Sequence, residues 1–144
     1  MQVRVKRIDT PLPMPAYKTD GAAGFDLYSR IDAEIPAGES LLLPTNFVID
    51  FPKDFALKVY IRSSAATKRN LTKRNAVAII DSDYCGDDDE LFVFLYNFGK
   101  ESQFIKKGER VAQAVFTKIE QATFTEVDSM DNENRGGFGT TGTL

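Results

Sequence analysis

The sequence predicts an all-β domain, and three observations carry that prediction. Apolar and polar residues alternate along short segments such as residues 55–61, which is the period-two pattern of a half-buried strand. Turn-forming residues interrupt the chain at nearly even intervals, for example at residues 36–39 and 106–109. Only residues 63–69 have a helical composition. Short strands with turns between them are typical of an antiparallel sandwich or barrel.

The individual strands follow from the same pattern in chain order. Val3 and Val5 alternate with basic residues at the start of the chain, and Phe55 begins the clearest alternation. The other strands are apolar or alternating runs bounded by turn residues. They are predicted at residues 25–28, 40–43, 47–50, 76–80, 91–98, 110–117 and 123–127.

The chain divides into a β domain and an arm. Its 144 residues suffice for one domain, which we place at residues 1–127. Apolar residues become sparse over residues 128–144, where Arg135 and Phe138 are surrounded by glycine and threonine. Glycine lets the backbone approach a ligand closely, and Arg and Phe suit phosphate binding and base stacking. We therefore expect a flexible, glycine-rich C-terminal arm with a function in binding, instead of a frayed end.

Composition excludes several kinds of chemistry. The chain has no histidine, so no Ser-His-Asp triad or histidine metal site is possible. Any metal is expected to be a hard cation held by oxygen atoms, with Mg²⁺ the first choice. The net charge of −3 argues against nucleic-acid binding, and no apolar run is long enough to cross a membrane. A single cysteine, Cys85, excludes an intrachain disulfide and leaves the cytoplasm as the expected compartment.

The most informative segment follows the predicted strand at residues 76–80. Five apolar residues run directly into Asp81, which is followed by Ser82, Asp83 and Tyr84. Burying an unpaired carboxylate is costly. Asp81 therefore lies either at a strand end that faces water or in a cleft where a ligand engages it.

Two other segments suggest phosphate or metal binding. Arg62, Ser63 and Ser64 join a strand to the short helical segment and could hold phosphate. The alternative is a serine cap beside a solvated basic surface formed by residues 68–74. The acidic run at residues 87–90 could bind a cation, but a solvated turn is the more common outcome.

Two polar residues interrupt apolar strands. Asp26 lies between Phe25 and Leu27, so a period-two strand predicts a solvent-facing carboxylate. Gln113 lies within the strand at residues 110–117, where a satisfied core amide is the simplest interpretation.

Five segments together carry more information than any one of them. In order and at this spacing they resemble the motifs of the trimeric dUTP pyrophosphatase (dUTPase) family, from about residue 22 to the C-terminus. They are Ala23-Gly24-Phe25-Asp26-Leu27, Arg62-Ser63-Ser64, Ile80-Asp81-Ser82-Asp83-Tyr84, Gly108-Glu109-Arg110-Val111-Ala112-Gln113 with Phe116, and Gly136-Gly137-Phe138-Gly139-Thr140-Thr141-Gly142.

The resemblance implies a jelly-roll-like β-sandwich or barrel that forms a homotrimer with active sites shared between subunits. It implies hydrolysis of dUTP to dUMP and pyrophosphate with Mg²⁺, which limits uracil in DNA and supplies dUMP for dTMP synthesis. It also implies that the C-terminal arm closes over the bound nucleotide.

The resemblance further implies roles for individual residues. Asp81 would activate the attacking water and hold the 3′-hydroxyl, Tyr84 would exclude a 2′-hydroxyl, and Asn75 with Ile80 would contact the nucleoside. Gln113 would act in catalysis and bind phosphate. Arg62, Ser63 and Ser64 would bind the phosphates, and Asp26 would contact the metal through water. The residues of the arm that would close over the nucleotide are Arg135, Gly137, Phe138, Gly139 and Thr140. Within the arm, Phe138 would stack on uracil and Arg135 would contact the γ-phosphate.

Two alternatives stand beside this interpretation, and the chain departs from the usual family pattern. A dCTP deaminase of the same fold also has an Arg-Ser-Ser segment, but it usually has Pro-Gly-Phe after the Ile-Asp pair. A non-catalytic nucleotide sensor or partner-binding module on the same scaffold is the second alternative. The family usually has glycine three residues before the catalytic aspartate, where this chain has Ala78.

Overall fold

The computed structural model describes residues 1–137, and within them the chain forms eleven β-strands and one short helix. All strand pairings among these residues are antiparallel. The elements are β1 (Arg4–Arg7), β2 (Phe25–Tyr28), β3 (Ala33–Ile35), β4 (Ser40–Pro44), β5 (Phe47–Asp50), β6 (Phe55–Ile61), α1 (Ser63–Arg69), β7 (Leu71–Lys73), β8 (Ala78–Ile80), β9 (Phe92–Asn97), β10 (Gln103–Ile105) and β11 (Arg110–Lys118).

The structure confirms most predicted elements, with small shifts at their ends. The strand predicted at residues 123–127 is wrong, because no described strand pairs with it and the Phe124 side chain is 93% exposed. The strands β3, β7 and β10 are not predicted, since three residues are too few to reveal an alternation.

The strands form four small sheets around one core. The largest sheet has the order β2-β11-β6-β8, the second has the order β4-β9-β7, and β1-β5 and β3-β10 are pairs. Burial follows the period of two along β9, where Val93, Leu95 and Asn97 face inward. Apolar side chains from every strand between β2 and β11 except β8 are buried in this core. The result is the jelly-roll-like β fold expected from the sequence.

The helix α1 spans seven residues. Within residues 1–137 no helix is long and apolar enough to span a membrane.

A buried carboxylate joins three loops on one side of the core. Glu90 is 4% exposed and accepts hydrogen bonds from two nitrogen atoms of Arg30, at 2.8 and 2.9 Å, and from the backbone N–H of Asn46 at 2.7 Å. The hydrogen bond to Glu90 raises the pKa of Arg30. The prediction of a solvated turn at residues 87–90 is therefore wrong for Glu90, although Asp87 and Asp88 are exposed.

Lys73 is a second buried charge, at the end of β7. Its side chain is 4% exposed, and its ammonium donates a hydrogen bond of 2.9 Å to the carbonyl oxygen of Val59 on β6. Since β6 and β7 belong to different sheets, this bond ties the two sheets together. Burial lowers the pKa of Lys73 to about 8. The prediction of a solvated basic surface over residues 68–74 is wrong at this position.

We expect Lys73 to make the protein more stable as the pH rises from about 8 to 10.5. In this range the folded state has released the Lys73 proton while the unfolded chain still holds it, so raising the pH favours folding. The change in unfolding free energy from this group is on the order of 3 kcal/mol. Urea denaturation at a series of pH values, on wild type and Lys73→Met, measures it.

Lys53→Met is the control, because Lys53 is an exposed lysine and its loss leaves Lys73 in place. The increase in unfolding free energy between about pH 8 and pH 10.5 should persist in Lys53→Met and disappear in Lys73→Met. Parallel curves for wild type and Lys73→Met would contradict the account.

Candidate active site

The predicted phosphate-binding residues lie where β6 ends and α1 begins. Arg62 is the N-cap residue of α1, and Ser63 and Ser64 begin its first turn. No side-chain hydrogen bond caps this helix, so the alternative in which a serine caps it is wrong. The hydroxyls of Ser63 and Ser64 therefore do not cap the helix, and they lie next to Arg62 in the sequence.

Asp26 holds two guanidinium groups at this end of the sheet. Its carboxylate lies 3.3 Å from Nε of Arg62 and 3.2 Å from Nη1 of Arg110. Asp26 is only 8% exposed, so the expectation of a solvent-facing carboxylate is wrong. The two ion pairs compensate the cost of burying this charge and fix the direction of Arg62.

Gln113 lies in line with Asp26 across the central sheet. The strand register pairs Gln113 on β11 with Asp26 on β2 and with Tyr60 on β6. Gln113 is exposed, so the interpretation as a satisfied core amide is wrong. Its amide is free to face a ligand beside Asp26.

A cavity of about 540 Å³ opens beside these residues. Arg62, Ser64 and Arg110 contribute to its wall, together with Lys18 and Arg69. The volume is within the range of small-molecule binding sites. Sequence reasoning gave no role to Arg110, although this residue lies within the fourth motif. Its pairing with Asp26 depends on the β2–β11 register, which no local pattern reveals.

Asp81 lies elsewhere, in a turn that follows β8. Asp81 is exposed, and its backbone carbonyl accepts a hydrogen bond of 3.2 Å from the N–H of Tyr84. The Tyr84 hydroxyl donates to the carbonyl oxygen of Glu90 at 3.1 Å, and its ring is 39% exposed. The sequence allows Asp81 to lie at a strand end that faces water or in a ligand-binding cleft. Within one copy of the chain it lies at the strand end and faces water. Tyr84 is held at its hydroxyl end with the ring accessible.

The turn before β8 carries Asn75 and a strained alanine. Asn75 is exposed, and Ala76 has a φ of 53°, in the left-handed region that non-glycine residues rarely adopt. Ala78 is the first residue of β8 and has no positive φ. The backbone at position 78 is therefore one that alanine adopts without strain. The residue with an unfavourable backbone conformation is Ala76, two residues earlier.

The strand register places Asp81 and Arg62 at opposite ends of β6. Ile80 of β8 pairs with Leu57, near the start of β6, whereas Arg62 follows its last residue. The two side chains are thus separated by about six residues along a strand, or roughly 20 Å at 3.3 Å per residue. One copy of the chain does not bring the predicted water-activating carboxylate to the predicted phosphate site.

The remaining candidates form no further centre among the described residues. No group of three or more His, Cys, Asp or Glu side chains within residues 1–137 is placed to hold a metal ion. In the acidic run the Asp87 carboxylate bonds to the Lys6 ammonium at 2.9 Å, and this lowers the pKa of Asp87. Of the predicted arm residues, Arg135 and Gly137 are exposed, whereas Phe138, Gly139 and Thr140 lie outside the described residues.

Comparison with known proteins shows to which family the chain is related. A family model described as dUTPase matches residues 10–143. A deoxyuridine 5′-triphosphate nucleotidohydrolase of Rhizobium etli is 41% identical over 137 residues, which cover 91% of this chain and 86% of that protein. The protein of the same name from Dictyoglomus turgidum is 38% identical over 148 residues, with 99% of both chains covered.

Solved structures agree at the level of the fold. The dUTPase from Streptococcus mutans superposes with a TM-score of 0.76 at 29% identity, covering 83% of this chain and 98% of that one. The dUTPase of Staphylococcus bacteriophage 80alpha, solved with dUpNHpp as a G164S mutant, has a TM-score of 0.85 at 20% identity, with 99% of both chains covered. With the family model matching nearly its whole length, this chain belongs to the dUTPase family.

Proposed function

We propose that this chain hydrolyses dUTP to dUMP and pyrophosphate, and so limits uracil in DNA and supplies dUMP for dTMP synthesis. The observation that carries the proposal is the cationic cavity at the end of β6, where Arg62, Ser64 and Arg110 meet. A nucleoside triphosphate is strongly anionic, and guanidinium groups and hydroxyls are the donors that suit it. Family membership supports the choice of dUTP among such triphosphates.

In this proposal Arg62, Ser63, Ser64 and Gln113 hold the phosphates. Arg62 is already oriented by Asp26, so little side-chain freedom is lost when a phosphate binds. Charge develops on the leaving pyrophosphate as the reaction proceeds, and fixed donors stabilise it without rearranging. Gln113 lies one strand from this pair and can donate its amide N–H to a phosphate oxygen.

Asp81 is proposed to activate the attacking water. Its carboxylate accepts a proton from water, the water oxygen attacks the α-phosphorus, and the bond from that phosphorus to the bridging oxygen breaks to release pyrophosphate. In a chain without histidine, a carboxylate is the natural general base. Tyr84 would pack on the deoxyribose, and Asn75 and Ile80 would contact the nucleoside.

Mg²⁺ is proposed as the metal that accompanies the triphosphate. Each Asp26 oxygen accepts one guanidinium contact and keeps lone pairs, so this carboxylate fits a magnesium ion that it contacts through water. The absence of a direct ligand cluster among residues 1–137 fits the same arrangement. When bound, the ion would neutralise charge on the phosphates.

We infer that a complete site needs more than one copy of the chain. Asp81 and Arg62 of one copy are roughly 20 Å apart, whereas a water at the α-phosphorus must lie beside both the base and the phosphate donors. A homotrimer in which Asp81 of one copy meets Arg62 of another would close this gap. Exposed apolar side chains favour such an assembly, since Ile79 on β8 is 64% exposed and Phe124 is 93% exposed.

The C-terminal arm is proposed to close over the bound nucleotide. Residues 128–137 are exposed and form no strand, as a lid that orders on substrate binding requires. Phe138 would stack on uracil and Arg135 would reach the γ-phosphate, with Gly137, Gly139 and Thr140 allowing close approach. The cytoplasm remains the compartment predicted from the sequence.

The alternatives are separated by one assay of pyrophosphate release with dUTP, UTP, dTTP and dCTP. The proposal expects release from dUTP in strong preference to the other three. Ammonia release from dCTP would favour the deaminase, and binding of dUTP without turnover in the presence of Mg²⁺ would favour the non-catalytic module.

Asp81→Asn should lower kcat at least 100-fold, because general bases contribute about 10² to 10⁴ in rate. Affinity for the non-hydrolysable dUpNHpp should stay within about threefold, since the amide can still bond to the 3′-hydroxyl. Stopped-flow pyrophosphate release and calorimetric titration measure the two quantities. Asp83→Asn is the control in the same exposed turn, and equal kcat losses in both variants would contradict the assigned role.

Tyr84→Ala should weaken discrimination against UTP, because the ring would no longer fill the space that a 2′-hydroxyl needs. The expected change in the ratio of kcat/KM for dUTP and UTP is about 10-fold or more. Tyr84→Phe keeps the ring and loses only the bond to Glu90. Discrimination should therefore survive in Tyr84→Phe, and its loss there to the same extent would refute a role for the ring.

Removing residues 134–144 should lower kcat/KM for dUTP about 100-fold, the size expected when a positioning lid is lost. The melting temperature should change little, since residues 134–137 are exposed and contribute no strand. Thermal denaturation and steady-state kinetics on the truncated chain test both statements. A truncated enzyme with full activity would exclude the lid.

A further inference from the structure

Among residues 1–137, one cation in the wall of the cavity beside Arg62 has no carboxylate partner. Lys18 lies in the loop between β1 and β2 and lines the cavity together with Arg62, Ser64 and Arg110. Among residues 1–137 its ammonium has no hydrogen bond and no ion pair. The three arginines of this wall, Arg62, Arg69 and Arg110, are all paired with carboxylates.

The charges around the cavity leave a positive surplus. Arg62 and Arg110 share the single carboxylate of Asp26, and Arg69 pairs with Glu109. With Lys18, four cations therefore face two carboxylates in a chain whose net charge is −3. A concave wall with such a surplus attracts and concentrates anions.

Contacts on both sides of Lys18 restrain the loop that carries it. The ring of the preceding residue, Tyr17, packs edge-on against Phe25 with ring centroids 5.9 Å apart. The following residues form a turn in which the N–H of Ala22 donates to the carbonyl oxygen of Thr19 at 3.1 Å. A lysine on an anchored backbone presents its charge to the cavity at a lower entropic cost than one on a loose loop.

We propose that the Lys18 ammonium binds a non-bridging oxygen of the substrate's triphosphate beside Arg62 and Ser64. This inference rests on the proposed function, because it assigns a further binding residue to the same site. The flexible lysine stem lets a point charge follow the phosphates, while Arg62 is held in one direction by Asp26. Lys18 thus contributes to triphosphate affinity and makes no contact with the nucleoside.

Lys18→Met tests the inference, since it removes the charge and keeps the apolar stem. KM for dUTP should rise about 10-fold at low salt, the loss of one charge-assisted bond, with kcat changed less than about threefold. Affinity for inorganic tripolyphosphate, measured by calorimetry, should fall by a similar factor. Deoxyuridine binding should not change, and Lys18→Arg should recover most of the tripolyphosphate affinity.

Lys53→Met is the matched control, because it removes one positive charge from an exposed turn outside the cavity. If both variants weaken tripolyphosphate binding equally, the effect is one of net charge alone and the inference is wrong. It is also wrong if Lys18→Met binds tripolyphosphate as wild type does. Failure of the proposed function would look different: wild type would release no pyrophosphate from dUTP, whatever the affinity of Lys18→Met.

Discussion

The antiparallel register of β6 with its neighbours is the constraint on which the rest of the site depends. On one side β11 brings Gln113 and Asp26 into line with β6, so that Arg62 at its end meets a carboxylate. On the other side β8 runs back along β6 and delivers Asp81 to the opposite end. The same hydrogen-bond ladder therefore builds the proposed phosphate site and places Asp81, the proposed general base, roughly 20 Å away from it.

The separation of Asp81 from Arg62 suggests why the chain would assemble into an oligomer. The end near Arg62 is organised within one copy, because Asp26 is buried against two guanidinium groups before any ligand arrives. The end near Asp81 is organised as well, since Glu90 is anchored by Arg30 and in turn holds Tyr84 through its backbone carbonyl. In the proposed homotrimer, the Asp81 end of one copy and the Arg62 end of another would together form one site.

Sequence reasoning predicted the parts that depend on local pattern. Alternation predicts β6, and the order of five short segments indicates Asp81 and Arg62 as candidate site residues. Such patterns carry no information about strand register. They therefore predict an exposed Asp26 and a buried Gln113, whereas Asp26 is buried and Gln113 is exposed.

Long-range contacts account for the other failures. Lys73 belongs to a basic run that suggests a solvated surface, yet its ammonium reaches the Val59 carbonyl of another sheet. The segment at residues 123–127 alternates as a strand should, but a strand also needs a partner, and one copy supplies none among the described residues. An alternating sequence shows that a segment can form a strand, and the presence of a pairing partner in the fold determines whether it does.

Mixing two inactive variants tests the shared site most directly. Asp81→Asn lacks the base and Arg62→Ala lacks the phosphate donor, so each alone should release little pyrophosphate. Co-expression in equal amounts should restore dUTP hydrolysis to about a quarter of the wild-type rate, because random trimers place an intact Asp81 beside an intact Arg62 in about one site in four. If the mixture is no more active than the separate variants, each copy holds its own complete site and the account is contradicted.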